Sequence, residues 1–141
     1  MPQTNTIDAP LANTICFGCG IENPIGLHLH FEPHPDGGVT AAFQPAAGHQ
    51  GWDGIMHGGL ICVLLDESIA WAAASKTSRY VTGKLEVHYR RPVHVDKPVR
   101  LRGWIEHDHG RTLSTRAEVL SPDGEVLAEG SAVFVRAPTP R

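Results

Sequence analysis

The sequence predicts an α+β domain in which an antiparallel sheet wraps around one long, buried helix. Three observations carry this. A proline-free stretch from Gly58 to Ala74, GGLICVLLDESIAWAAA, is rich in Leu and Ala and apolar on nearly every face. The segments on either side alternate apolar and polar residues with the period of two expected of half-buried strands. Turn-forming clusters separate these segments, so the order reads two strands, one helix, four strands.

Taken in order, Leu27, Leu29 and Phe31 alternate with His28, His30 and Glu32, and after the turn residues PHPDGG the alternation resumes at Val39, Ala41 and Phe43. That pattern is a hairpin. In the helix only Asp66, Glu67 and Ser68 interrupt the apolar cylinder, where a surface helix would show a polar stripe, so a sheet is expected to cover it. Beyond it, Leu85, Val87 and Tyr89 oppose Glu86, His88 and Arg90 until Pro92 interrupts the ladder. Three further strands are expected over Val99 to Ile105, Thr112 to Leu120 and Glu125 to Val135. HDHG and SPDG separate them, which makes consecutive antiparallel pairing the simplest arrangement.

A chain of 141 residues suits one domain, residues 1–141, with polar, Pro-containing tails at about 1–14 and 137–141. The formal net charge of -3 provides no basic field, so nucleic acid is not an expected partner. MPQTNTIDAPLANT lacks a basic start followed by an apolar run. The segment from Leu60 to Ala74 is too short for a bilayer and carries two acids, so neither export nor membrane insertion is expected. Three cysteines without a disulfide framework suit a reducing compartment, and a cytoplasmic location is the expectation.

The chemistry concentrates at HGGLICVLLDE, His57 to Glu67. Glycines at a helix start leave backbone N–H groups unpaired and unobstructed at the positive end of the helix dipole, which suits an anion or a polarised carbonyl oxygen. Tight packing is the plainer use of the same Gly58–Gly59 pair. Asp66 stands in the most apolar helix, where an ionised carboxylate is costly unless a function or a buried partner requires it. Glu67 is its rival, but adjacent helical positions differ by about 100°, so only one of the two faces a given cleft.

With these residues, the chain resembles acyl-CoA thioesterases of the phenylacetate-pathway type, within the 4-hydroxybenzoyl-CoA thioesterase superfamily. There His-Gly-Gly opens the central helix and an Asp follows nine residues after the His, as His57 and Asp66 do here. CFGCGIENPIGLHLHF, HQGWDGIMHGG and KLEVHYRRPVHV extend the resemblance over most of the chain. It implies the hotdog fold and hydrolysis of the thioester between an acyl group and coenzyme A, with no metal or cofactor, at sites shared between two subunits. By the same resemblance the Gly58 amide is the oxyanion donor, a role worth roughly 3 kcal/mol of barrier. Asp66 is the catalytic carboxylate, as general base or as nucleophile.

Gly58 and Asp66 are eight residues apart, about 12 Å along one helix, whereas both must reach one reacting carbon. A homodimer is therefore expected, with Gly58 of one chain facing Asp66 of the other, and a homotetramer if dimers pair again. Thr82 matches a position where relatives carry a hydroxyl that helps hold the attacking water; an ordinary β-favouring Thr is the alternative. His57 either orients the loop and touches substrate or is a structural hydrogen-bonding group at the helix start. The Asn that some relatives place shortly before the His is missing from His49-Gln50-Gly51-Trp52-Asp53-Gly54, and Gln50 or His49 are candidate substitutes. Gly59 and Gln50 are placed with the substrate, and Arg90, Arg91 and Lys97 are candidates for the CoA phosphates, with a solvated strand end as the alternative.

Cys16-Phe-Gly-Cys19, with His28 and His30 downstream, lacks the second ligand pair that a zinc module shows, so no metal is expected and the cysteines read as packing or tight-turn residues. Cys62 reads as core. Two other functions compete. One is an enoyl-CoA hydratase of the same fold, since Asn23-Pro24 with His28 resembles that family's Asp-Asn-Pro-His loop but lacks its Asp. The other is an acyl-CoA binding or sensing domain without turnover.

Overall fold

The computed structural model describes residues 14–74 and 79–137. The strands are β1 (Glu32–Pro33), β2 (Val39–Phe43), β3 (Tyr80–Tyr89), β4 (Val99–Asp108), β5 (Thr112–Leu120) and β6 (Val126–Arg136), and α1 (Gly58–Ala73) lies between β2 and β3. All six form one antiparallel sheet in the order β1-β2-β4-β5-β6-β3. This is the expected hotdog arrangement, a sheet wrapped around one helix. Most of the expected tails, 1–13 and 138–141, lie outside the described residues, as do 75–78.

α1 buries Ile61, Leu64, Leu65, Ser68, Ile69, Ala72 and Ala73 against the sheet, where they meet Leu101, Leu113, Val119 and Phe134. The spacing of three and four residues puts these on one side of the helix. Burial is not uniform, which corrects the expectation of a helix enclosed on all faces: Gly59 is exposed, and Cys62, Val63, Asp66 and Ala70 are only half-buried. Helix and sheet approach tightly at Gly103 of β4. A Cβ there would lie 2.3 Å from the Ser68 carbonyl oxygen, so only glycine allows this separation. Ser68 is fully buried and satisfies its hydroxyl by donating to the Leu64 carbonyl at 2.7 Å.

Two strand expectations need correction. Leu27, Leu29 and Phe31 are buried and His28, His30 and Glu32 exposed, as the alternation predicts, yet only Glu32 and Pro33 pair with β2. The Leu27 and Leu29 N–H groups donate instead to the Phe17 and Gly18 carbonyls, and His28 has a positive φ of 52°, so this stretch is tied to the preceding loop. Consecutive pairing holds for β4, β5 and β6, but β3 pairs with β6. β3 also begins at Tyr80, five residues before the alternation reads, because a bulge between Thr82 and Lys84 breaks the period of two.

Candidate active site

His57 closes the start of α1. Its backbone (φ -59°, ψ 132°) is non-helical, and its Nδ1 accepts the Gly59 N–H at 2.9 Å. That cap occupies one of the two leading glycine amides. The Gly58 N–H, which has no acceptor within the helix, is left as a first-turn donor at the positive end of the dipole. The Gly58 carbonyl accepts the Tyr89 hydroxyl at 2.9 Å, and the same hydroxyl lies 3.1 Å from Cys62 Sγ. That sulfur contact, with a smaller effect of burial, pushes the Tyr89 phenol up to about 12, so it stays protonated and able to donate. A Cβ on Gly58 would sit 3.3 Å from the Tyr89 oxygen, so the helix start and the end of β3 are closely fitted.

Two turns along α1, Asp66 Oδ1 accepts the Thr82 hydroxyl at 2.7 Å. Asp66 is half-buried rather than enclosed, on the flank of the helix beside β3. Thr82 lies within β3, at the bulge that skips Gly83, and not before the strand as its sequence position suggests. Glu67 points elsewhere, as the 100° step requires. It packs under the 14–26 loop with Cys16 Sγ 3.6 Å from Oε1, while its Oε2 is buried and reaches no hydrogen-bond partner. Burial raises the Glu67 carboxyl above its ordinary range; the nearby Cys19 and Cys16 thiols and the Trp71 indole oppose this. The indole acts by proximity alone, since its N–H has no partner in hydrogen-bond geometry. Burial also drives the Cys19 thiol up to about 12, aided by Cys16 and by the Glu67 charge.

The remaining expected site residues are engaged locally. Gln50 donates to the Ala47 carbonyl at 2.8 Å and accepts the Gly54 N–H at 2.6 Å, and His49 Nδ1 accepts the Ala46 N–H at 2.9 Å. Both side chains thus hold their own loop. Arg90 pairs with Glu129 at 3.0 Å and Arg91 with Glu125 at 2.7 Å in exposed ion pairs, and the Arg90 hydrogen bond lowers the Glu129 carboxyl. Lys97 is exposed in the turn before β4. The Asn23 side chain and the His28 ring bond within residues 15–28, which folds that loop on itself. Tyr89 is the contact that sequence reading missed: alternation gave its face but not its partner at the helix start.

The thioesterase superfamily model matches residues 53–128, which include the helix, Thr82 and most of the sheet. The chain belongs to this superfamily. It is 28% identical over 99 residues to the acyl-coenzyme A thioesterase THEM4 of Xenopus laevis, covering 70% of this chain and 45% of that protein. To THEM4 of Bos taurus it is 23% identical over 128 residues, covering 89% and 53%. The chain thus spans about half the length of these curated relatives. A solved thioesterase superfamily protein superposes with a TM-score of 0.83 at 27% identity, over 88% of this chain and 61% of the other. Two more distant structures share the fold. The E. coli PaaI protein of the phenylacetic acid degradation operon has a TM-score of 0.72 at 17% identity, over 78% and 84% of the two chains. A hypothetical thioesterase from Streptococcus pneumoniae, solved with coenzyme A, also has 0.72 at 17%, over 80% and 88%.

Proposed function

We propose that this superfamily member hydrolyses acyl-CoA thioesters, with Asp66 as the catalytic carboxylate and Thr82 holding it. The hydrogen bond between Thr82 and Asp66 carries the reading. The hydroxyl occupies Oδ1 and orients the carboxylate, so Oδ2 keeps its lone pairs for a water proton or for direct attack on the thioester carbon. In the water route, Asp66 takes a proton as the oxygen adds to the carbonyl, and that proton passes to the departing CoA thiolate. The carbonyl oxygen gains charge only as the tetrahedral state forms, and a first-turn amide such as that of Gly58 stabilises it there.

Within one chain Gly58 and Asp66 are about 12 Å apart along the same helix, so the donor in each site is the Gly58 of a second copy. Two features support an isologous dimer. Among the described residues, the ten-residue β3 ends the sheet and pairs on one side only, which leaves a row of backbone groups on its other edge. The half-buried flank of α1, with Val63, Asp66 and Ala70, supplies a second incompletely covered surface. The dimer is the unit this chemistry needs.

Free-thiol release from a panel of acyl-CoAs, compared between wild type and Asp66→Asn at matched folding, tests the assignment. A loss of roughly 100-fold or more in kcat is expected. Binding without thiol release on any acyl-CoA would instead favour an acyl-CoA sensor or an enoyl-CoA hydratase of the same fold.

A further inference from the structure

The loop that crosses α1 carries two cysteines that the proposed reaction does not use. Cys16 Sγ, Cys19 Sγ and a carboxylate oxygen of Glu67 all lie within 4.8 Å of one another, although Glu67 stands 51 residues from Cys16 along the chain. The loop is shaped to hold the two sulfurs. The Cys19 N–H points to Cys16 Sγ at 3.5 Å, and the Gly20 N–H donates to the Cys16 carbonyl at 2.8 Å. A Cβ at Gly20 would meet the Thr14 carbonyl oxygen at 2.4 Å, so this turn requires glycine. A two-residue spacing lets both sulfurs reach one ion. From the helix side, Glu67 Oε2 is buried and reaches no hydrogen-bond partner, an unsatisfied oxygen that a cation would engage.

We propose that Cys16, Cys19 and Glu67 bind one zinc ion, with water as fourth ligand, and so clamp the 14–26 loop onto α1 beside Asp66. Two thiolates and one carboxylate suit zinc, whereas magnesium and calcium take oxygen donors. Zinc–ligand distances of ~2.0–2.3 Å place tetrahedral ligand atoms roughly 3.3–3.8 Å apart, so small side-chain rotations from the present spacing complete the site. Binding releases the two thiol protons. The ion takes no part in thioester hydrolysis, so this site stands or falls separately from the activity. Its third ligand lies on another element, which is why the CxxC spacing alone argued against a metal.

The test is titration of the chelator-treated, reduced full chain with Zn(II) against a competing chromophoric chelator, and separately with Co(II). One equivalent per chain, a cobalt–thiolate charge-transfer band, and a higher thermal midpoint with zinc are expected. Cys16→Ser and Glu67→Gln should each weaken binding at least about tenfold, and Cys62→Ala should leave it unchanged. The cobalt spectrum of the wild type needs no variant to fold. Absence of a stoichiometric ion, or equal affinity in the ligand variants, overturns the site. So does a Cys16–Cys19 disulfide that reforms after reductant is removed in the presence of zinc.

Discussion

Asp66 has two carboxylate oxygens, and Thr82 engages one of them. Hydrogen bonds to charged groups contribute about 1.5–3 kcal/mol, so Thr82→Ala should lower kcat/KM by roughly 10- to 100-fold, while Thr82→Ser, which keeps the hydroxyl, should recover most of it. Steady-state kinetics of the two variants check this. A Thr serving only β-propensity would give no such order, with Ala and Ser equally mild. At the helix start, Tyr89→Phe removes the hydroxyl that the Gly58 carbonyl accepts. It should reduce kcat more than it raises KM, because the loosened group positions the oxyanion donor rather than the bound substrate. Much of this was legible in the sequence: His57, Gly58 and Asp66 are spaced by the helix itself. Chemical type did not reveal the local partners: Gln50 accepts the Gly54 amide and Arg90 pairs with Glu129.

Among elements, the contact of α1 with β4 tolerates the least change. Gly103→Ala places a methyl group within 2.3 Å of the Ser68 carbonyl, so helix and strand must move apart. Overpacking of this kind costs ~1–3 kcal/mol, and urea unfolding should show a lower midpoint with an unchanged slope. The helix could be read from its composition, and β4, β5 and β6 from periodicity, with bounds within about three residues of those expected. The β1 segment could not. Its alternation is real in burial, but its backbone partners belong to the Phe17–Gly18 loop, and no residue pattern records which carbonyl an N–H will find. The early start of β3 was hidden by its bulge, and the same bulge sets Thr82 against Asp66.

For the molecule as a whole, the sharing of sites between copies can be tested by complementation. Gly58→Pro removes the oxyanion N–H at the first helical position, where proline is favoured and the extended ψ of His57 suits it, with the Tyr89 ring giving way slightly to the added Cβ. Asp66→Asn removes the carboxylate. Each variant alone should be nearly inactive, and an equal mixture, after subunit exchange, should regain about a quarter of wild-type activity, since half the dimers are mixed and each has one intact site. No recovery after demonstrated exchange would place both groups in one chain's site. Sedimentation of the same samples gives the assembly state. The sheet order also bears on how the chain is made. β3 pairs with β6, the last strand of the sheet to be synthesised, so the strand that carries Thr82 emerges from the ribosome without a neighbour. At ~5–20 residues per second it waits several seconds for that neighbour. During that interval a ten-residue strand is open on both sides, a window in which nascent chains are exposed to mispairing with one another and to capture by chaperones.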